Sequence, residues 1–195
     1  NCWLVQTKDV INEKEVFNEN YSYFSSMSSS WLDHAKRYVE YIVTFLKLNK
    51  KSYIIEVASN DGYLLKNFKV KNLNYLGIEP SKSTALVAKK NKIKTINEFF
   101  TYKLAKKLAK SKKADLVIGN NVFAHIPDIH DFTKGLKTIL SINGTITLEF
   151  QHVLNIMKKN QFDTIYHEHY YYYSVTFLKK IFKYYELKIY KIEKL

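Results

Sequence analysis

Five short apolar runs, separated by stretches with helical spacing, constrain this chain more than any other feature. The runs are "SYIIEVAS" (52–59), "LNYLGIEP" (73–80), "IKTINEFF" (93–100), "ADLVIGN" (114–120) and "GTITLEF" (144–150). Between them lie "SKSTALVAKKN", a capped helix, "TYKLAKKLAKSKK", where Thr101 is placed to cap, and the helix-like "DFTKGLKTIL" (131–140). Continuous apolar runs alternating with helices are the sequence form of an α/β fold with a buried parallel sheet. Ahead of the first run, "SSSWLDHAKRYVEYIVTFLKL" follows capping serines and spaces Trp31, Leu32, Ala35, Tyr38, Val39, Ile42 and Val43 as a helix does. Residues 1–29 are polar and show no sustained period, so they form a lead-in to a main domain over 30–195. A turn is expected at Asn143-Gly144, before the fifth run.

At 195 residues the chain suits one domain with a real core, and a hydrophobic content of 46% excludes a disordered protein. No apolar run approaches the roughly 18–20 residues of a membrane span, and the start has no secretory signal pattern. Cys2 is the single cysteine, so no internal disulfide forms, and a reducing cytoplasm is the expected compartment. The net charge of +13 raises a nucleic-acid reading. Against it, Arg37 is the one arginine among 31 basic residues, and the lysines spread along the whole chain. Base readout and phosphate clamping favour arginine. The lysines therefore read as a solvated surface, and nucleic acid is not the expected partner.

In open α/β sheets ligands bind beyond the carboxyl ends of the strands, where the strand order reverses. The first run ends in "EVASNDG" (56–62). Small residues at Ala58 and Gly62 let backbone amides close on a ligand, and Asp61 adds an acceptor. The second run ends at Glu79, seventeen residues after Gly62, where an acid can take hydrogen bonds from ribose hydroxyls. The loop is not GxGxxG, but the two signals at this spacing favour an adenosine-containing cofactor.

The stretch "NQFDTIYHEHYYYYS" (160–174) concentrates imidazole, carboxyl and phenol groups. His167 and His169 are two apart, not four, and no third ligand is evident, so a metal site is not expected. An extended segment would put both rings on one face. Two readings stay open, a buried aromatic loop with satisfied histidines and an acid–base site. For the second, Glu168 would hold a histidine in one tautomer and Tyr166 would donate to a developing oxyanion.

With these segments in view the sequence resembles the S-adenosylmethionine-dependent nucleotide-sugar C-methyltransferases. The resemblance is carried by "YFSSMSSSWLDHAKRYVE" (23–40), "IIEVASNDGYLL" (54–65), "LGIEPS" (76–81), "ADLVIGNNVFAHIPDIHDF" (114–132) and "NQFDTIYHEHYYYYS". It implies the class I methyltransferase fold, a Rossmann-like sheet of strand order 3-2-1-4-5-7-6 with strand seven antiparallel. It implies that Glu56, Ala58, Asn60, Asp61 and Gly62 form the methionine-binding loop and that Glu79 takes the ribose. Phe99 and Phe100 would flank adenine, and Asn120 and Asn121 would contact the methionine portion. His169 would be the base that removes a proton beside the sugar ketone, with Glu168, Tyr166 and His125 in the same pocket. Tyr21, Tyr23 and His167 would face the nucleotide-sugar substrate. The resulting carbanion would attack the sulfonium methyl in line, a displacement that mainly needs positioning. Alternatives are an O- or N-methyltransferase of a small molecule or RNA, and an inactive fragment.

The chain departs from the family at both ends. Family members begin with a zinc module of paired cysteines, and "CWLVQ" matches its last cysteine, but Cys2 alone cannot hold zinc. "LKIYKIEKL" (187–195) reads as strand six, after which the family continues into strand seven and a further domain. The expectation is a domain lacking strand seven, completed in a longer enzyme or by a partner chain, and by itself a weak binder of cofactor.

Overall fold

Each of the five apolar runs contributes a strand, and the five align into one sheet. The computed structural model describes residues 3–8 and 11–194; Cys2 lies outside them. A short strand β1 (Val5–Gln6) and a one-turn helix α1 (Glu13–Val16) lead through a 3-10 turn (Ser25–Met27) into the long helix α2 (Ser29–Phe45). There follow β2 (Tyr53–Val57), α3 (Leu65–Val70), β3 (Asn74–Ile78), α4 (Lys82–Lys90), β4 (Thr95–Ile96) and α5 (Tyr102–Ala109). The last third holds β5 (Ala114–Asn120), α6 (Ile129–Ile139), β6 (Leu140–Glu149), α7 (Val153–Lys159), β7 (Tyr171–Tyr172) and α8 (Val175–Tyr184).

The main sheet runs β4-β3-β2-β5-β6 with every pair parallel, which is the 3-2-1-4-5 portion of the expected order. Strand order reverses between β2 and β5, so a crevice opens beyond their carboxyl ends. Side chains alternate between two cores, as a pleated strand requires. Ile55, Val57 and Val117 join Leu104, Phe132, Leu136 and Leu178 on one face. Ile54, Leu116 and Ile118 join Ala35, Val39, Ile42 and Phe68 on the other. The helix starts follow their caps. Ser28 accepts the Trp31 amide at 3.3 Å and Thr101 the Leu104 amide at 3.2 Å. Ser81 precedes α4 but does not cap it; its hydroxyl donates to the Asn18 carbonyl at 2.9 Å.

Three expectations are corrected. Asn143-Gly144 is not a turn, because β6 runs through it. Between Ala114↔Leu140 and Leu116↔Thr145, two steps on β5 face five on β6, so the excess bulges outward and leaves Ile142 99% exposed. Gly144 is there for close approach, since a Cβ would sit 2.8 Å from the Ala114 carbonyl. The run 93–100 yields only the two residues of β4. Asn97 leaves the ladder because its side-chain amide donates to the carbonyls of Glu79 and Pro80, both at 2.8 Å. Residues 187–194 form no strand. They pass the side of β6, with the Tyr190 hydroxyl 2.9 Å from Thr145 Oγ1 and Lys191 over the rings of Tyr41 and Phe45. Among the described residues no strand lies between this segment and β6, so it has no ladder to join. No helix among them is long and apolar enough to cross a membrane.

Sequence reading did not find the two-stranded sheet of β1 and β7, antiparallel with Val5 opposite Tyr172. It brings the lead-in onto the histidine-bearing segment.

Candidate active site

A cleft of about 1140 Å3 lies beyond the carboxyl ends of the strands. One wall is built by the residues that end each strand: Ala58 and Asn60 after β2, Glu79 after β3, Phe99 after β4, Asn120 and Asn121 at the end of β5, Phe150 after β6. The opposite wall carries His125, Tyr166, Glu168 and His169, and the lead-in adds Phe17, Tyr21 and Tyr23. Residues from both ends of the expected methyl-transfer site thus line one cavity.

The loop after β2 owes its shape to left-handed backbone at Ala58 (φ 56°), Asn60 (φ 49°) and Gly62 (φ 81°). Gly62 suits such a φ, and a Cβ there would lie 2.8 Å from Ile93 Cγ1. Asn60 Oδ1 accepts the Ser25 amide at 3.0 Å, and its Nδ2 donates to the Tyr23 carbonyl at 3.0 Å, binding the loop to the lead-in. Glu79 is turned onto the protein: Oε2 accepts the Asn60 amide at 2.8 Å, and Oε1 accepts the Ser81 amide and the Thr84 hydroxyl. Oε2 therefore keeps acceptor capacity toward the cleft, while Oε1 is filled. Asp61, Gly62 and Glu56 stand behind the lining. Asp61 Oδ2 accepts the Ser26 amide at 3.2 Å. Glu56 is 1% exposed, and burial, with Glu79 and Asp61 nearby, holds its pKa well above the usual carboxyl range. Phe99 and Phe100 both line the cleft, but Phe100 is the more buried, packing against Phe132 with ring centres 5.3 Å apart.

On the other wall, residues 166–169 form a turn closed by the His169 amide on the Tyr166 carbonyl at 3.0 Å. The turn separates the histidines: His169 lines the cleft, while His167, expected to face the substrate, is exposed and outside the lining. His169 Nδ1 lies 2.8 Å from the Thr164 carbonyl, which can only accept, so the proton sits on Nδ1. Nε2 then carries the lone pair, and the Tyr166 hydroxyl, 3.2 Å away, donates to it. The tautomer is thus set by Thr164, not by Glu168 as expected. The carbonyl of Glu168 does the same for the other ring, accepting from His125 Nδ1 at 3.1 Å.

The two imidazoles differ in basicity. Burial, and then His169, lower the His125 pKa from 6.5 to about 4. Burial also lowers His169, but the Thr164 carbonyl and the Glu168 charge work against that. Both rings are neutral near pH 7, and His169 is the one placed to take a proton. Tyr21 and Tyr166 are pushed above the ordinary phenol range by burial and then by Glu168, so both remain hydroxyl donors. Of the two lead-in tyrosines, Tyr21 is the more enclosed, its ring edge-on to Phe17, and Tyr23 is 58% exposed. Phe17 in turn meets the His125 ring edge-on at 5.6 Å. Sequence reading missed Phe17 and the role of Thr164, because neither belongs to a periodic segment or a motif. His34 pairs with Glu149 at 2.8 Å. Among the described residues no group of three or more His, Cys, Asp or Glu could hold a metal ion.

Comparisons with known proteins agree with this fold. The fold is that of S-adenosylmethionine-dependent methyltransferases. One such enzyme from Archaeoglobus fulgidus superposes with a TM-score of 0.66 at 14% identity, covering 79% of this chain and 68% of its own. Another, from Clostridium acetobutylicum, gives 0.54 at 14% identity, covering 66% and 54%. A family model described as "Methyltransferase domain" matches residues 30–192, and the chain belongs to that family. It is also 33% identical over 189 residues to the C-methyltransferase NovU of Streptomyces niveus. The match covers 96% of this chain but 45% of that relative's length.

The lining fits the cofactor of this fold. Asn120 Nδ2 is buried without a partner among the described residues, and a donor left so needs an acceptor from a ligand. Glu79 Oε2 offers the complementary acceptor.

Proposed function

We propose that the chain is the methyl-transferring part of an enzyme that methylates a carbon beside the ketone of a nucleotide-linked deoxysugar. The observation that carries this reading is the pair of neutral imidazoles, His125 and His169, set with a phenol in the cleft that begins at the cofactor loop. A methyl acceptor that is already an acidic hydroxyl needs little help with its proton. A C–H beside a ketone needs a base with a free lone pair and a donor for the oxyanion. The 33% identity to a C-methyltransferase supports the same reaction type.

In this reading S-adenosylmethionine, when bound, supplies an electrophilic methyl on its sulfonium and leaves as the thioether. His169 Nε2 takes the proton from the carbon beside the ketone, and the C–H electron pair moves into the enolate. Tyr166, released from Nε2 by the incoming carbon, donates its hydroxyl to the enolate oxygen. The carbon then forms the new C–CH3 bond as the S–CH3 bond breaks. Glu168 steadies the imidazolium, and His125, hard to protonate, keeps the second ring neutral. Ala58, Asn60 and Asn120 hold the methionine portion, Glu79 the ribose and Phe99 the adenine. Tyr21 and Tyr23 face the sugar. Residues 30–195 act as the methyltransferase domain, and 1–29 close it.

The nucleotide end is held elsewhere. Lys14 is the one lysine among the described residues lining the cleft, which holds no arginine, while Glu13 and Glu168 add negative charge. That lining is poorly suited to a diphosphate, which supports a second domain or partner chain gripping it.

The test is deuterium uptake at the carbon beside the ketone, followed by NMR for a panel of nucleotide-linked ketosugars with S-adenosylhomocysteine present, then methyl transfer with S-adenosylmethionine. Exchange at that carbon and a product methylated there are expected. No exchange with any sugar, or a methyl on oxygen or nitrogen, overturns the reading.

A further inference from the structure

Beside the contact of its Nε2 with the Tyr166 hydroxyl, His169 is held by three hydrogen bonds. Its amide donates to the Tyr166 carbonyl and its Nδ1 to the Thr164 carbonyl, both a few residues back along the chain. The third bond comes from the far end of the chain: the Thr7 hydroxyl donates to the His169 carbonyl at 2.6 Å. The Thr7 amide also donates to the Tyr170 carbonyl at 3.0 Å, just beyond the pairing of β1 with β7. The single hydroxyl proton of Thr7 goes to His169, so the Tyr172 hydroxyl, 3.5 Å away, can only donate to Thr7.

A hydroxyl is needed for this arrangement, and a β-branched side chain suits its strand-like setting. Without the bond the His169 carbonyl loses its donor, while the carbonyls on either side keep theirs, Glu168 from the His125 ring and Tyr170 from the Thr7 amide. A misplacement of the ring by about an ångström slows a positioned reaction about a hundredfold.

We propose that Thr7 is a positioning residue for the base: through the His169 carbonyl it fixes where the imidazole points. The inference deepens the carbon-methylation reading and rests on it. It also makes the lead-in a working part of the site.

The test compares Thr7→Val, which keeps the shape and removes the hydroxyl, with Thr7→Ser, which keeps the hydroxyl. Two readouts are taken, the exchange rate at the carbon beside the ketone and the NMR titration of 13C-labelled histidine rings. Thr7→Val is expected to lower the maximal exchange rate about tenfold or more with KM within about twofold. It should shift the His169 ring signals and their titration midpoint, with S-adenosylhomocysteine affinity retained and Thr7→Ser restoring both. Parent-like rates and His169 signals in Thr7→Val overturn the proposal. Equal losses in both variants, including a shared failure to fold, also overturn it, because then packing and not the hydroxyl is what matters. If the parent itself shows no exchange, the carbon-methylation reading fails, and the ring titration still decides whether Thr7 sets His169.

Discussion

The rings of His125 and His169 meet edge to face with their centres 4.6 Å apart. Each has its Nδ1 proton committed to a backbone carbonyl, and protonating one raises the energy of protonating the other. The pair therefore accepts one proton and resists a second.

That arrangement sets a pH dependence. Because His169 is lowered, the base stays neutral at pH values where a free histidine has begun to protonate. The acid limb of kcat/KM for carbon methylation should fall with its midpoint below 6.5, and His169→Asn should abolish turnover while leaving cofactor affinity within about twofold. A midpoint at or above 6.5, or turnover by His169→Asn within a few-fold of the parent, contradicts the assignment.

Stability should follow the other ring. The unfolded chain protonates His125 near 6.5 and the folded chain near 4, so the unfolded state binds the extra proton between these values. The contribution is full above 6.5 and lost as pH falls toward 4, amounting to roughly 3 kcal/mol. Urea unfolding of parent and His125→Gln across this window checks it: the variant should lose less stability on acidification.

Tyr166→Phe removes the hydroxyl that caps His169 Nε2 at 3.2 Å and leaves the ring in place. A donor aimed at a developing oxyanion is worth about 100- to 1000-fold in kcat. A drop of at least about tenfold in exchange and methylation is expected, with S-adenosylhomocysteine binding by calorimetry unchanged. Parent-like kcat would remove the phenol from the mechanism.

Glu56→Gln should stabilise the protein. The raised carboxyl pKa means that Glu56 loses its proton more readily when the chain unfolds, so its contribution is intact at acid pH and declines as pH rises. The amide is neutral at every pH and nearly isosteric. Its Tm should exceed the parent's by a few degrees at about pH 8 and converge with it toward about pH 5; a lower Tm at the higher pH would show that the carboxyl is needed ionised.

Gly77→Ala tests how closely the cofactor loop rests on the sheet. The new methyl would lie 2.4 Å from Ser59 Oγ and 3.0 Å from Leu65 Cδ1. Ser59 sits between Ala58 and Asn60, so the loop has to lift. A loss of about 1–3 kcal/mol in stability and a clear weakening of cofactor binding are expected. Unchanged affinity would mean that the loop adapts freely.

What the sequence revealed follows from how each signal arises. The buried strands and the helix over 29–45 were legible because hydrophobic spacing is local. Residues 187–194 look like a strand by composition, but a strand exists only with a neighbour, and the ladder is not in the local sequence. Gly144 carried a turn signal, yet the glycine serves a contact with the distant Ala114 carbonyl. Of the two histidines of "YHEH", His169 lines the cleft as the sequence led one to expect, and His167 does not. Their separation by a turn, and the Thr164 carbonyl that fixes the tautomer, were not legible, since backbone acceptors have no letter in the sequence. Phe17 and Thr7 left no trace either, lying in a segment without period.

The bond between Thr7 and His169 joins residues 162 positions apart. A ribosome adding about 5–20 residues per second leaves the amino-terminal strand without its mate for roughly ten to thirty seconds. The sheet can assemble during that wait, since its pairings close over shorter spans. The pair of β1 and β7 beside this bond therefore closes only after every strand of the main sheet has been made.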